Sequence, residues 1–215
     1  MKDIAIYGAG GLGKEIACLI QAVNREKNGD WNIIGYFDDG LLPGTRNRYG
    51  EVLGNIETLN AWDKPLSVVL ALGKPQPLKQ IAEKIMNPLI DFPNLLAPDL
   101  KWLDVDSVCM GKGNIVTFGC RISCEVKIGD FNILNGNVGI GHDVRIGSYN
   151  VMNPCTRISG ETMIGDNNFF GVCSIVLQRK KIGNNITVSA NSVVSRNTLD
   201  GCCYLGNPAK KIDLI

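Results

Sequence analysis

Histidine is almost missing from this sequence: its 215 residues contain one, at position 142. Neither sign of charge dominates, because 22 Lys and Arg stand against 21 Asp and Glu, for a formal net charge of +1. This balance excludes a broad electropositive surface, so we expect neither nucleic acid nor a membrane as a partner. A long hydrophobic run is also missing, since no segment approaches the roughly 18 apolar residues of a membrane span. The expected partner is a small molecule.

A secretory signal is likewise missing. The first residues, MKDIAIYGAGG, contain no basic region, long apolar core or small-residue cleavage site, so we expect a cytoplasmic protein. The eight cysteines are scattered along a chain of ordinary size, which favours free buried thiols over a disulfide framework. A structural zinc site is the alternative, but Cys120 and Cys124 have no second close pair and His142 is the only imidazole. We therefore expect no metal.

Apolar residues recur every six positions through the C-terminal half. Fourteen successive positions are all apolar, which in a chain with 45% apolar residues has a chance probability on the order of one in 10⁵. Neither the period of a helix nor that of a strand produces sixes, whereas a three-sided coil of short strands does. Residues from about 108 to 198 therefore predict a parallel β-helix of roughly five 18-residue turns. The fourteen positions are Val116, Ile122, Ile128, Leu134, Ile140, Ile146, Met152, Ile158, Ile164, Phe170, Val176, Ile182, Val188 and Val194.

His142 has a defined place in this repeat. It follows the inward residues Val138 and Ile140, so it falls with Asp143 at the next corner, and both side chains project outward. A neutral imidazole can accept a proton while an amine or hydroxyl attacks a thioester, so His142 is a candidate general base. Asp143 could hold the ring in one tautomer, although adjacent side chains rarely reach one another. A surface histidine without a function is the alternative.

A glycine loop follows the first predicted strand. Ile4 to Tyr7 predicts a strand, residues 8–13 read GAGGLG, and the pattern from Glu15 to Val23 predicts a helix. In a G-x-G-x-x-G loop the glycines let the backbone approach phosphate oxygens at a helix N-terminus. The loop therefore indicates a nucleotide site.

The tips of the next strands add polar residues to this site. Strands predicted over 33–37 and 68–72 end in Asp38-Asp39 and Gly73-Lys74; a helix is predicted over 78–85, and a further strand from Ile90. The carboxyl ends of parallel strands meet at one edge, where α/β sheets bind ligands. About 95 residues precede the repeat, which is half a dinucleotide fold, so a single nucleotide carrying a sugar is favoured. NAD, with Asp38 on its ribose, is the alternative.

Five motifs in order connect these halves: IYGAGGLGKE, GYFDD, ALGK, IGHD and YLGNPAKKI. Together they resemble the bacterial hexapeptide-repeat sugar acetyltransferases of the sialic acid O-acetyltransferase and UDP-4-amino-sugar N-acetyltransferase family, over nearly the whole chain. The resemblance implies an α/β plus β-solenoid fold: a Rossmann-like nucleotide-sugar-binding half-domain over residues 1–97, then a left-handed β-helix with a C-terminal tail over 98–215. Handedness comes from the resemblance alone, because parallel crossovers are usually right-handed. A homotrimer is also implied, with acyl-donor sites between neighbouring helices.

The resemblance implies roles for individual residues. His142 would be the base, Asp143 its carboxylate partner, and acetyl-CoA the co-substrate. Two departures from many relatives are Leu12 in the glycine loop, where a histidine is common, and Asp143, where some have Glu. The implied substrate-binding residues are Gly8, Gly10, Gly13, Asp38, Asp39, Gly73, Lys74 and Asn135, and the implied cofactor-binding residues are Gly160, Gly171, Val172, Ala190, Pro208, Lys210 and Lys211.

The expected function is acetyl-CoA-dependent acetylation of an amino group on a nucleotide-activated sugar. O-acetylation of sialic acid or another sugar hydroxyl, a non-catalytic nucleotide-sugar-binding protein and a purely structural solenoid remain alternatives. The single histidine excludes the related carbonic anhydrases, which bind zinc through three. Cys155 and Cys173 are expected to be core residues rather than nucleophiles, since no second histidine could activate them.

Overall fold

The computed structural model describes residues 1–26 and 30–212, which divide into two compact units, Met1–Pro98 and Asp99–Ile215. No helix in this described part of the chain is long and apolar enough to cross a membrane.

Unit 1 is an α/β layer built on a largely parallel sheet with strand order β3-β4-β2-β1-β5-β6. All five residues of β5 are buried, as expected for a strand inside a parallel sheet. Helix α1 packs its apolar face, including Ile16, Leu19 and Ile20, into the core. The elements are β1 (Lys2–Tyr7), α1 (Gly11–Arg25), β2 (Trp31–Phe37), β3 (Arg46–Asn47), β4 (Gly50–Gly54), α2 (Ile56–Asn60), β5 (Leu66–Leu70), α3 (Pro75–Lys84), β6 (Ile90–Asp91) and β7 (Leu95–Leu96).

The predicted elements of unit 1 exist with shifted ends. Strand β5 ends at Leu70, two residues before the predicted end, although Ala71 still donates to the carbonyl of Tyr7 at 2.8 Å. Helix α3 begins three residues before the predicted start, because Pro75 occupies its first turn, where a missing N–H costs nothing.

Unit 2 is a left-handed parallel β-helix, as predicted. Two-residue strands pair with strands 18 residues later, for example Leu134 with Met152 and Ile146 with Ile164. All fourteen six-step positions are at most 5% exposed, which confirms their place in the core. The strands are β8 (Lys101–Trp102), β9 (Cys109–Met110), β10 (Ile115–Val116), β11 (Arg121–Ile122), β12 (Lys127–Ile128), β13 (Ile133–Leu134), β14 (Gly139–Ile140), β15 (Arg145–Ile146), β16 (Val151–Met152), β17 (Arg157–Ile158), β18 (Met163–Ile164), β19 (Phe169–Phe170), β20 (Ile175–Val176), β21 (Lys181–Ile182), β22 (Thr187–Val188), β23 (Val193–Val194), β24 (Cys203–Gly206) and β25 (Ala209–Ile212).

The coil extends past both predicted ends. Trp102 pairs with Ile122 below the predicted start at 108. The six-step count misses it because a 3-10 turn, Val105–Ser107, lengthens the connection to β9. At the other end Tyr204 pairs with Val188, which closes a coil shorter than the usual 18 residues.

Each corner of the helix contains one residue with left-handed backbone. In L-residues this conformation costs about 1–2 kcal/mol, which Asn, Asp and Gly tolerate best. Corner residues stack on those one coil away: the rings of Phe131 and Tyr149 lie parallel at 5.6 Å, and Nδ2 of Asn167 donates to Oδ1 of Asn185 at 2.6 Å. The non-glycine members have φ from 54° to 64° and are Glu125, Phe131, Asn137, Asp143, Tyr149, Cys155, Glu161, Asn167, Cys173, Arg179, Asn185 and Asn191.

A ladder of buried asparagines runs through the core at 18-residue spacing. Asn114, Asn132, Asn150 and Asn168 are each 0% exposed. In each step the side-chain oxygen accepts the backbone N–H of the next asparagine, at 2.9–3.0 Å, and the chain ends at the N–H of Ile186. These amides satisfy backbone groups that the corner leaves without a strand partner.

Candidate active site

Strand β14 leads directly into the corner that carries His142. Val138 and Ile140 point into the core, 1% and 2% exposed, and the chain then turns at residues 142–143. The N–H of Asp143 donates to the carbonyl of Cys124, one coil below, at 3.1 Å. Since the corner turns both side chains outward, those of His142 and Asp143 are 50% and 55% exposed.

The two side chains contact each other. Nδ1 of His142 lies 2.8 Å from Oδ2 of Asp143. An ionised Asp143 accepts a hydrogen bond, so in the neutral ring Nδ1 carries the proton and Nε2 keeps its lone pair. The left-handed backbone at Asp143, with φ of 58°, brings these sequence neighbours together. This is the geometry of a base with an orienting carboxylate, and the catalytic roles of both residues stay predictions.

Gly160 lies against the His142 ring from the next coil. A methyl group on Gly160 would be 2.5 Å from Nε2 and 2.6 Å from Cε1 of the imidazole, closer than real contacts allow. Gly160 is itself buried. A side chain at position 160 would displace the ring. The absence of one therefore allows the imidazole to occupy this position.

We expect Gly160→Ala to lower kcat for acetyl transfer by about 10- to 100-fold, because displacing a catalytic group by about 1 Å has effects of this size. Gly136→Ala is the matched control. Gly136 occupies the same position of another corner, and its added methyl group would meet nothing nearer than 3.7 Å. Steady-state rates of both variants decide the matter: equal rates would show that clearance under the ring is unimportant.

Asn135 lies in the same coil as His142, at the corner before β14. Its N–H donates to the carbonyl of Met152 at 2.9 Å, and its carbonyl accepts the N–H of Val138 at 3.2 Å. The backbone is therefore fixed and the side chain half-buried. Its predicted role near the acceptor stays a prediction.

Three predicted cofactor residues lie together at another corner. A methyl group on Gly171 would be 2.4 Å from the backbone nitrogen of Ala190, so these two residues stack closely. Val172 is exposed, and its carbonyl accepts the N–H of Asn191 at 2.9 Å. Gly160 belongs to the corner of His142 instead. The predicted cofactor residues of the coils thus fall into two groups.

The remaining predicted cofactor residues line a basic pocket at the C-terminal end of the helix. Strands β24 and β25 form a hairpin in which Tyr204 pairs with Lys211. Pro208, Lys210 and Lys211 line an open pocket of about 320 Å³, and Arg196 adds a third cationic side chain to it. Three cations on one concave surface suit a multiply charged anion such as a phosphorylated nucleotide.

The glycine loop of unit 1 leaves the start of α1 open. No side chain caps this N-terminus, and its first turn contains no acidic residue. A methyl group on Gly13 would lie 1.9 Å from the carbonyl oxygen of Gly8, and one on Gly10 would meet nothing within 4 Å. Gly13 is therefore required by packing between loop and helix, whereas Gly10 borders free space in front of exposed N–H groups, an arrangement that suits a phosphate.

These two glycines are expected to respond differently to alanine. Gly13→Ala should destabilise unit 1 by about 2–3 kcal/mol or more, because its methyl group overlaps a backbone oxygen. Gly10→Ala should leave the free energy of unfolding within about 1 kcal/mol of the wild type and weaken nucleotide binding. Chemical denaturation and calorimetric titration with UDP and GDP measure both effects. Equal stability losses in the two variants would contradict the assignment.

The carboxylates of Asp38 and Asp39 have partners inside unit 1. Asp38 accepts the N–H groups of Ala9 and Gly40, both at 2.8 Å. Asp39 accepts the hydroxyl of Tyr7 at 2.7 Å and the N–H of Ile56 at 3.0 Å. Burial, and then the hydrogen bond to Asp39, raise the pKa of Tyr7, so its hydroxyl remains the donor. Asp38 thus holds the glycine loop at Ala9, and Asp39 connects the end of β1 to the start of α2. The contact of either aspartate with substrate stays a prediction.

Gly73 and Lys74 join the glycine loop at the same sheet edge. A methyl group on Gly73 would lie 3.9 Å from Cδ2 of Leu12, which places the two loops in contact range. Lys74 is exposed and precedes α3, whose N-terminus also lacks a side-chain cap and an acidic residue. Within unit 1 the predicted substrate residues therefore meet at one edge, which the uncapped start of α1 and the cation of Lys74 make favourable for an anion.

Comparison with known proteins connects this geometry to a family. Residues 3–85 match the family model described as the PglD N-terminal domain. The acetyltransferase domain of PglB from Neisseria gonorrhoeae FA1090, solved in complex with acetyl coenzyme A, is 27% identical, with a TM-score of 0.87 over 98% of this chain and 99% of that one. The chain is therefore similar, over nearly its full length, to an acetyltransferase domain that binds acetyl coenzyme A. The resemblance and the fold class expected from the motifs are confirmed.

Two solved structures with lower identity share the fold over nearly the whole chain. PerB from Caulobacter crescentus, in complex with CoA and GDP-perosamine, is 24% identical, with a TM-score of 0.86 over 99% of this chain and 98% of that one. WeeI from Acinetobacter baumannii AYE is 23% identical, with a TM-score of 0.87 over 99% and 100%. A comparison with curated proteins gives no match.

The eight cysteines are free, as expected, but most are not buried. Cys120 and Cys203 are buried; Cys109 and Cys173 are exposed, and the other four are half-buried. Cys173 is a left-handed corner residue whose side chain faces away from the core, so the prediction that it packs inside is wrong. Burial raises the pKa of the Cys120 thiol to about 11. Among residues 1–26 and 30–212, no three His, Cys, Asp or Glu side chains gather as metal ligands would.

Sequence reasoning missed the charged residues beside the His142 corner. Glu161 lies one coil above Asp143 and forms an ion pair with Arg179, from the coil above that. The hydrogen bonds from Arg179 and Gln178 lower the pKa of the Glu161 carboxyl. A signal existed, since 143, 161 and 179 are spaced by 18, the length of one coil. Charges at that spacing from a candidate base could therefore have been found in the sequence.

Proposed function

We propose that this protein transfers the acetyl group of acetyl-CoA to an amino group of a nucleotide-activated sugar, with His142 as general base. One observation carries the proposal: the only imidazole of the chain stands half-exposed, 2.8 Å from a carboxylate, in a molecule similar over its full length to an acetyltransferase domain bound to acetyl coenzyme A.

The chemistry follows from the tautomer that Asp143 favours. Nε2 of His142 accepts a proton from the amine as the amine nitrogen attacks the thioester carbonyl carbon. When the carbon–sulfur bond breaks, the imidazolium returns that proton to the departing thiolate. An amide and free CoA result, and no covalent acyl-enzyme is needed. Asp143 stabilises the imidazolium while it exists.

Acetyl-CoA has a proposed binding surface within unit 2. Gly160 lies against the His142 ring. The acetyl end of the co-substrate would bind beside it, with the thioester carbonyl within reach of Nε2. The corner of Gly171, Val172 and Ala190 presents close-packed backbone and an apolar side chain to the pantetheine arm. Pro208, Lys210 and Lys211, with Arg196, offer cations to the phosphates in the terminal pocket. Acetyl-CoA here is a co-substrate that leaves as CoA.

The acceptor has a proposed binding surface in unit 1. The nucleotide diphosphate would lie before α1, at Gly8, Gly10 and Gly13, and near Lys74 at the start of α3. The start of α1 lacks a capping side chain, so its N–H groups are available to phosphate oxygens, whereas Pro75 and Pro77 remove N–H groups from the start of α3 and leave Lys74 as its contribution. The proposal also places the protein in the cytoplasm, because this compartment supplies both acetyl-CoA and sugar nucleotides.

A homotrimer also belongs to the proposal. Exposed Val172 and Leu177, 45% and 40% accessible, leave apolar side chains on the outside of the coil that a neighbouring copy could cover. Light scattering coupled to gel filtration measures the assembly, with about three times 23.3 kDa expected.

The proposed reaction is tested by incubating the purified protein with acetyl-CoA and a panel of acceptors: UDP-4-amino-sugars, GDP-perosamine and sialic acid. Products are followed by mass spectrometry, because exposed Cys109 and Cys173 would themselves react with a thiol reagent. At least one amino sugar should gain an acetyl group that survives hydroxylamine, as an amide does. A hydroxylamine-labile product would indicate an ester and O-acetylation. Nucleotide binding without any acetylation of the panel would contradict an acetyltransferase for these acceptors.

A further inference from the structure

Three corner residues are stacked above one another around His142. Asp143, Glu161 and Arg179 have φ of 58°, 58° and 60°, so their side chains leave the helix in similar directions. Backbone hydrogen bonds fix the stack: the N–H of Glu161 donates to the carbonyl of His142 at 2.8 Å, and that of Arg179 to the carbonyl of Gly160 at 3.1 Å. A second carboxylate, that of Glu161, thus stands one coil from the candidate base.

Both oxygens of Glu161 are engaged from the upper coil. Nε and Nη2 of Arg179 donate to Oε2 and Oε1, each at 3.0 Å, and Nε2 of Gln178 donates to Oε1 at 2.8 Å. The bidentate geometry fixes the direction of the carboxylate and pairs its charge. The hydrogen bonds from Arg179 and then Gln178 hold the pKa of Glu161 below its usual value, and the charge of a protonated His142 lowers it less.

The charge pairing matters because a base must be neutral to accept a proton. Asp143 contacts the imidazole directly, and the charged residues stacked at the same corner are Glu161 and Arg179 in the coils above and Glu125 in the coil below. Carboxylates outnumber cations in this set. Without Arg179, the unpaired Glu161 would favour the imidazolium and compete with Asp143 for the ring.

We infer that Arg179 is a positioning residue for the proposed reaction: it holds the Glu161 carboxylate in a bidentate ion pair and thereby keeps His142 available as a neutral base. The inference rests on the proposed function of His142. It goes beyond that function because neither Arg179 nor Glu161 needs to touch a substrate.

A charge cycle tests the inference. Arg179→Ala removes the cation and should move the midpoint of the acid limb of kcat/KM to higher pH, by about half a pH unit at low ionic strength. Glu161→Gln leaves Arg179 unpaired and should move it to lower pH. The double variant, which removes both charges, should return close to the wild type, as should Arg179→Lys. Lys181→Ala, which removes an exposed cation two residues from Arg179, is the matched control and should shift the midpoint much less.

A second readout separates this inference from the proposed function. His142 is the only histidine, so in an untagged protein the NMR signals of its ring report its titration without an enzymatic assay. Opposite shifts in the two single variants, cancelling in the double variant, support the inference even if no acceptor is acetylated. Loss of packing alone would not shift the ring titration in opposite directions in the two single variants. Shifts in the same direction, or no shifts, would therefore overturn the inference even if acetyl transfer is observed.

Discussion

Replacing His142 by alanine is expected to lower kcat for acetyl transfer by about 10²- to 10⁴-fold, the range that a positioned general base contributes. The chain has no other imidazole to take its place. Initial rates at saturating acetyl-CoA and acceptor measure the loss. KM for acetyl-CoA should change little, because the proposed role of the imidazole ring is proton transfer rather than substrate binding.

His142→Gln is the companion variant, since its amide can still bond Asp143 but cannot accept a proton. Both variants should unfold within about 1 kcal/mol of the wild type, because the side chain is half-exposed and its removal opens no cavity in the core. Turnover within tenfold of the wild type in either variant would remove His142 from the mechanism.

Asn150→Ala is expected to destabilise the protein by about 3–5 kcal/mol, through several unsatisfied groups at about 1–3 kcal/mol each. The Asn150 side chain accepts the N–H of Asn168 at 3.0 Å and donates to Oδ1 of Asn132 at 2.9 Å and to the carbonyl of Gly165 at 3.0 Å. Removing it leaves these buried groups without that partner in a place that water does not reach. The melting temperature should fall by about 10 °C.

Asn191→Ala is the matched control for the ladder. Asn191 is an exposed corner residue with φ of 56°, so alanine there should cost about 1–2 kcal/mol, from backbone strain alone. Urea denaturation of both variants compares the two costs. If Asn150→Ala destabilised the protein no more than Asn191→Ala, the buried ladder would not be the stabilising element described above.

The six-residue period predicted the core of unit 2 because it is a property of the sequence itself. Inward apolar residues recur every six positions, the length of one side of the three-sided coil. Counting in sixes from Val116 therefore finds the fourteen stacked positions. The count missed Trp102, because a 3-10 turn changes the spacing, and it missed the asparagine ladder. A buried asparagine reads as a surface residue until the backbone groups that it satisfies are known.

The site could be predicted only in part for a similar reason. The corner position of His142 follows from the repeat, but its contact with Asp143 depends on left-handed backbone, which the residue type alone does not fix. The strand tips of unit 1 met as expected, whereas the internal partners of Asp38 and Asp39 could not be foreseen, since they come from distant segments. Gly160 was expected to contact a cofactor, and its clearance for the imidazole emerged only from the stacking of coils.

The central claim is that the one imidazole of this chain is the base in acetyl transfer. The most direct test compares two curves from the same untagged protein: the NMR titration of the His142 ring signals, and the pH dependence of kcat/KM with an acetylated acceptor from the panel. We predict that the acid limb of kcat/KM reaches half its height at the pH where the ring is half protonated. A limb whose midpoint differs from that of the ring by a full pH unit or more, or an acid limb that persists in His142→Gln, would contradict the claim.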